Sequence, residues 1–250
     1  MTMTIKEARE WLKYDARTAF FVNAMQFINW ERVEGDIIEF GVSVGKSLGL
    51  LGVLLEENLA LWQYSEAACR SRRLIGLDTF SGLPDDDQVH PRWGRGSFAT
   101  NYLHGHPSLS YGEPITADSI RLLFQRCGLP EPELLEGLFS QTLPALIPGK
   151  TQKAALVHID SDLYPSAKEA LSGVEPILQD GSLICFDDWF MYRGNPEKGE
   201  QRAFREFLAE HPHWQAVPYQ TYSVFCNSFI MHRRDTDSAA SGSEGGMLGV

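Results

Sequence analysis

The chain has 250 residues, 43% hydrophobic and 22% charged, proportions of an ordinary globular protein with enough length for one α/β domain and additions. No apolar stretch approaches a membrane span and Met1 to Glu10 is too polar for a signal peptide, so a cytoplasmic protein is expected. A net charge of -11 argues against a broad phosphate-binding surface, and so against nucleic acid as the main partner.

Ile5 to Trp30 carries Trp11, Leu12, Phe20, Phe21, Met25, Phe27 and Ile28 among charged residues, the pattern of one or two amphipathic helices. They pack on the domain or close over a ligand as a lid. Asp36 to Phe40 then reads as a strand that runs into Gly41-Val42-Ser43-Val44-Gly45-Lys46-Ser47 and a leucine-rich helix. The glycines do not spell G-x-G-x-x-G, and a P-loop needs one more residue between Gly41 and Gly45. Glu39 at the mouth of this turn repels a phosphate and suits a cationic amine or sulfonium. Leu74 to Leu77 is a second strand, ending at Asp78, where an acid is placed to hold both hydroxyls of a ribose or to cap a turn.

Asp85 to Pro114 is a long polar and aromatic insertion with Trp93, Phe98, Tyr102, His104, His106 and Tyr111, a place to look for substrate specificity. Ala117 to Cys127 is a predicted helix ended by Gly128, Leu134 to Phe139 a predicted strand, and Ser140 after it a cofactor contact. The four cysteines, Cys69, Cys127, Cys185 and Cys226, are widely spaced and read as small buried apolar residues in a reducing compartment.

The most informative stretch runs from Ala154 to Trp189. An apolar strand, Ala154 to Ile159, ends at Asp160 and Asp162, and Pro165 opens a helix through Ala167, Ala170, Leu171, Val174 and Leu178. Gly181 closes it. A second apolar strand, Leu183 to Phe186, ends at Asp187 and Asp188. A strand, helix and strand of these lengths form a right-handed crossover, so both acidic pairs leave the edge of the sheet where ligands bind. Carboxylates brought together raise one another's pKa unless a cation lies between them, and oxygen ligands suit magnesium, manganese or calcium better than zinc. His158 shares the strand face with Asp160 and reads as a buried, hydrogen-bonded histidine. Trp189 to Gly199 is a second candidate wall for the acceptor, Gln201 to Glu210 a covering helix, and Ser223 to His232 the final strand. From Asp235 to Val250 the composition is that of a disordered tail.

In GDIIEFGVSVGKS, LIGLDTFSGLP, EGLFSQTLP, HIDSDLYPSAKEAL and FDDW the chain resembles the macrocin O-methyltransferase family, over roughly Gly35 to Leu208, with Gln141 where the family commonly has an acid. The resemblance implies a Rossmann-like class I methyltransferase: an α/β fold with a seven-stranded, mostly parallel sheet, its last strand antiparallel, and helices on both faces. Residues 1–34 would be a helical lid, 35–234 the catalytic domain and 235–250 the tail. It implies S-adenosylmethionine as cofactor, with Glu39, Phe40, Gly41 and Ser43 at its amino acid end, Asp78 on the ribose, and Ser81, Ser140 and Ser161 as further contacts. Asp160, Asp187 and Asp188 would hold a magnesium or manganese ion and Asp162 would be the general base, with Asp160 as the alternative. The implied acceptor is a glycosylated natural product, and a homodimer is the default assembly.

Three rival readings remain on the residues alone. Asp160-Ser161-Asp162 is also the aspartate pattern of a metal-dependent glycosyltransferase, which leaves Glu39 and Asp187-Asp188 unexplained. A catechol-type phenolic methyltransferase shares the metal logic but needs a lysine base, and Lys168 lies within the helix. A cofactor-binding protein without catalysis has no need of the four aspartates.

Overall fold

Strand β1 (Asp36–Phe40) is buried along its whole length, its acids Asp36 and Glu39 included, which places it inside the sheet rather than at an edge. The computed structural model describes residues 3–61, 72–85, 90–146 and 153–234. The expected tail (235–250), Cys69 and part of the insertion (86–89) lie outside the described residues.

Two helices precede β1. Helix α1 (Ile5–Lys13) opens on a reciprocal capping box between Thr4 and Glu7, and α2 (Thr18–Trp30) buries Phe20, Phe21, Ala24, Met25 and Ile28. After β1 come α3 (Lys46–Leu61), β2 (Leu74–Asp78), α4 (Ala117–Arg126), β3 (Glu133–Glu136), α5 (Phe139–Leu146), β4 (Ala154–Ile159), α6 (Tyr164–Val174), β5 (Leu183–Phe186), α7 (Gly199–Glu210), β6 (Trp214–Pro218) and β7 (Asn227–Arg233). They form one seven-stranded sheet in the order β3-β2-β1-β4-β5-β7-β6. Only β7 runs against its neighbours, as the resemblance implies.

Alternation along β1 divides the core. Ile37 joins α1 to α4 on one face, and Ile38 and Phe40 join α5 to α7 on the other. Gly49 of α3 has no Cβ where one would stand 2.7 Å from Leu12, so α1 seats closely on α3. The alternation that makes β4 and β5 continuous apolar runs therefore reflects helices on both sides.

Several elements depart from expectation. The predicted strand over Leu134 to Phe139 stops at Glu136, because Gly137 (φ +142°) leaves the sheet, donating to the Asp78 carbonyl, and Phe139 begins α5. The final strand begins at Asn227 rather than Ser223, whose φ of +57° belongs to the turn that pairs Tyr222 with Cys226. Strand β6 was not foreseen: five residues, mostly exposed, ending in a proline at the sheet edge. The insertion after β2 is ordered by side chains. Asn101 Nδ2 donates to the carbonyls of Leu103, Leu109 and Ser110, and His106 Nε2 bonds the Val44 carbonyl at 2.9 Å while Nδ1 accepts backbone N–H groups. His106 is thus a strut, and His104 stacks on Tyr111 at 4.7 Å.

Candidate active site

Ladder bonds carry β1, β4 and β5 to one edge. Asp160 N–H donates to the Phe40 carbonyl at 2.8 Å and Asp187 N–H to the Ile159 carbonyl at 3.0 Å, so the acids after β4 and β5 emerge beside the glycine turn after β1. The turn needs glycine: Gly41 has φ +89°, and a Cβ there would lie 1.7 Å from the Asp160 carbonyl oxygen. A cavity of about 630 Å³ opens at this edge, lined by Gly41, Ser43, Asp78, Ser161 and the acids Asp160, Asp162, Asp187 and Asp188. Its size suits a small-molecule site, which spans about 300–1,000 Å³.

The aspartates meet as expected, and they bring partners that were not. Arg17, from the start of α2, places Nη1 3.0 Å from both Asp160 Oδ2 and Asp187 Oδ1. His158, wholly buried, lies 3.6 Å from Asp187 on one side and 3.3 Å from Glu39 on the other. Burial alone would lower the His158 pKa; the Asp187 and Glu39 carboxylates outweigh it and push it up to about 9. Burial would raise Asp187, but Arg17 and His158 hold it below the usual carboxylate range. Asp160 goes the other way, to about 7, because burial and the neighbouring Asp187 charge exceed the pull of Arg17 and His158.

Asp162 and Asp188 form the second half of the cluster. Burial first, then the Asp160 and Asp187 charges, push Asp162 well above the ordinary range against the pull of a hydrogen bond with Asp188, and burial followed by the Asp162 and Glu200 charges does the same to Asp188. Asp162 holds φ +60°, a left-handed conformation uncommon for aspartate and typical of strained functional positions. It is not the cap of α6, because the N-cap is Leu163 and no side chain caps that helix. Glu200, in the first turn of α7 and 1% exposed, accepts the Asp188 N–H at 3.0 Å with Oε2. Its Oε1, like Asp188 Oδ2, is buried with no hydrogen-bond partner among the described residues.

Of the residues expected at a cofactor, the structure brings Gly41, Ser43, Asp78 and Ser161 to the cavity wall and keeps Glu39, Phe40, Ser81 and Ser140 off it. Glu39 is fully buried, accepting from Ser47 Oγ at 2.9 Å and facing His158. Phe40 packs its ring on Phe139 in the core, Ser140 N–H donates to Glu169, and Ser81 faces a shallower hollow with Glu136 and Gln141. Asp78 turns its carboxylate onto the glycine turn, taking N–H groups from Val42 and Ser43 at 2.8 Å and from Phe80 at 2.7 Å. Oδ2 takes two of these N–H groups and Oδ1 the third, so the remaining acceptor capacity for a ligand hydroxyl lies on Oδ1. The Ser161 hydroxyl is buried in the wall with no hydrogen-bond partner among the described residues, open to a polar atom of a ligand, and Ser43 lies beside the Tyr102 phenol.

Trp93, Phe98 and Tyr102 of the insertion also line the cavity, and burial with the Asp160 charge pushes the Tyr102 phenol up to about 12. The second expected wall contributes Met191, whereas Trp189 turns into the core against Phe186 and Phe229. Lys168 is far from this edge chemically, its ammonium held by Glu206 and Glu210 on α7. Arg17 and Glu200 escaped the sequence reading. Glu200 looks there like an acid complementing a helix N-terminus, and Arg17 finds its partners 143 and 170 residues away.

The family model described as Macrocin-O-methyltransferase (TylF) matches residues 14–212. The chain belongs to this family. The glycine turn, Asp78 and both acidic pairs all lie within the matched residues. Among curated relatives, the chain is 28% identical over 162 residues to 8-demethyl-8-(2,3-dimethoxy-alpha-L-rhamnosyl)-tetracenomycin-C 4'-O-methyltransferase of Streptomyces olivaceus, covering 63% of this chain and 54% of the relative. It is 26% identical over 162 residues to demethyldecarbamoylnovobiocin O-methyltransferase of Streptomyces niveus, covering 64% and 54%. The chain spans about half the length of these curated relatives. Among solved structures, the O-methyltransferase NovP superposes with a TM-score of 0.63 at 20% identity, covering 87% of this chain and 80% of that one. CalS11, a calicheamicin methyltransferase, does so at 0.61 and 26% identity, covering 85% and 77%. The fold is the class I methyltransferase sheet.

Proposed function

We propose that the chain is an S-adenosylmethionine-dependent O-methyltransferase that uses magnesium or manganese and acts on a sugar hydroxyl of a natural product. The observation that carries this reading is one cavity in which the glycine turn and Asp78 face four aspartates across a few ångströms of sheet edge. The relatives support the acceptor class, since one is a 4'-O-methyltransferase of a rhamnosyl-tetracenomycin and the other an O-methyltransferase of demethyldecarbamoylnovobiocin.

The acids fit a divalent cation by an observation of their own. Asp188 Oδ2 and Glu200 Oε1 are buried and unpartnered, and Asp160 and Asp187 already converge on a single cationic nitrogen. Asp160, Asp187 and Asp188 would hold the ion. Bound there, magnesium would supply a Lewis acid that lowers the pKa of the acceptor hydroxyl and draws the clustered carboxyls back to their anionic forms.

The chain's own residues supply the rest. Gly41 lets the turn pack onto the Asp160 carbonyl at the cavity wall, Asp78 accepts a ribose hydroxyl, and Ser161 offers a hydroxyl with no partner among the described residues. Asp162, on the cavity wall, takes the proton of the acceptor hydroxyl as that oxygen accepts the methyl group. Trp93, Phe98 and Tyr102 present aromatic faces on which a sugar or aglycone stacks, and Arg17, just before α2, joins the same wall. Glu39 serves by orienting His158 rather than by touching the cofactor.

The test is methyl transfer from S-adenosylmethionine to rhamnosylated polyketides and to catechols, with and without magnesium, read by mass spectrometry. Magnesium-dependent methylation of a glycoside is expected. Transfer to catechols alone would favour the phenolic reading instead.

A further inference from the structure

Arg17 is a buried cation with an unusual division of labour. Its side chain is 14% exposed, and it occupies the N-cap position of α2 without capping the helix by its side chain. One edge of the guanidinium is held locally: Nε and Nη2 donate to the two oxygens of Asp15 at 2.9 and 3.1 Å. The remaining nitrogen, Nη1, is shared between Asp160 Oδ2 and Asp187 Oδ1 at 3.0 Å each. A single cationic atom set between the acids that end β4 and β5 does what a metal ion would do there. It offsets like-charge repulsion in a site of low dielectric. The part of the cluster that Arg17 does not reach, Asp188 and Glu200, is the part left with unpartnered oxygens.

We propose that Arg17 is an internal counter-ion that competes with the divalent cation for Asp160 and Asp187, an inference that rests on the metal-dependent reading above. A guanidinium and a dication repel each other strongly at such separations, so the two carboxylates take one or the other. Asp15 makes the exchange local. Because the guanidinium is one rigid plane, Nη1 leaves the two acids only as Arg17 and Asp15 shift together, and Asp15 keeps the cation paired through Nε and Nη2 as the metal enters. Arg17 thereby sets the metal affinity, and it keeps the acids in place before the metal arrives.

The experiment is Mn²⁺ binding to the full chain, read as loss of the free-ion electron paramagnetic resonance signal, for the wild type and Arg17→Gln. The variant is expected to bind Mn²⁺ about tenfold more tightly. In chelator it should melt at a lower temperature than the wild type, and Mn²⁺ should close that gap. Equal affinities, or weaker binding by the variant, would overturn the competition while leaving the metal reading intact. No Mn²⁺ uptake by either protein would overturn both. Should the glutamine variant fail to fold, the wild type alone decides. The Arg17 Nε–H resonance, assigned by its absence from Arg17→Lys, is expected to shift on titration with diamagnetic Mg²⁺, and a resonance that stays in place while Mg²⁺ binds contradicts the proposal.

Discussion

Glu39 and His158 are register partners in β1 and β4, and their side chains meet at 3.3 Å with neither exposed to solvent. Through His158, which stands 3.6 Å from Asp187 on its other side, this buried pair links the centre of the sheet to the acids at its edge. Glu39→Gln keeps an acceptor for Ser47 but removes the charge. It is expected to destabilise the protein by about 1–3 kcal/mol at neutral pH. The sign of the pH dependence follows from His158: with a folded pKa of about 9 against an ordinary 6.5, its contribution is complete below 6.5 and is lost as pH rises through 9. Thermal unfolding in chelator from acid to alkaline pH should show that decline in the wild type and a smaller one in Glu39→Gln.

Gly41→Ala meets the Asp160 carbonyl at 1.7 Å and holds a residue with Cβ at φ +89°. Backbone strain alone costs about 1–3 kcal/mol, and the clash pushes the glycine turn away from β4. Denaturant unfolding should show at least that loss, and S-adenosylhomocysteine binding should weaken in parallel.

Asp162→Asn is expected to retain S-adenosylhomocysteine affinity and lose turnover by about 10²–10⁴-fold, the range of a general base. Single-turnover methyl transfer separates this from a binding defect. Unchanged turnover would move the proton acceptor to Asp160.

Trp93→Ala removes an aromatic face from the cavity wall, where the ring packs beside His90 and Tyr192. The acceptor KM should rise while S-adenosylhomocysteine affinity holds. Equal weakening of both ligands would place Trp93 on the cofactor side.

How much of this was legible in the sequence depended on the range of the interactions. Strands β4 and β5 were readable with their bounds because burial on both faces writes itself as unbroken apolar runs, and the acids after them mark where burial ends. Strand β6 was not, because an exposed edge strand carries little pattern. The stretch Leu134 to Phe139 misled because an apolar run reads the same in a strand and in a helix start, and Gly137 divides them. At the site, Asp160, Asp162, Asp187 and Asp188 were found by position. Whether Glu39 faces a ligand or a histidine turns on its pairing with β4, 119 residues away, which no local pattern encodes. The same holds for Arg17, whose role exists only once α2 is docked on the sheet.

The most direct measurement is a calorimetric titration of the protein with S-adenosylhomocysteine, in magnesium and again after chelation. Binding near micromolar, about 8 kcal/mol, is expected in magnesium, and weakening by Gly41→Ala or by Asp78→Asn would tie it to the cavity. The absence of binding in both buffers would contradict the assignment of Gly41, Ser43 and Asp78 to the cofactor, and with it the methyltransferase reading.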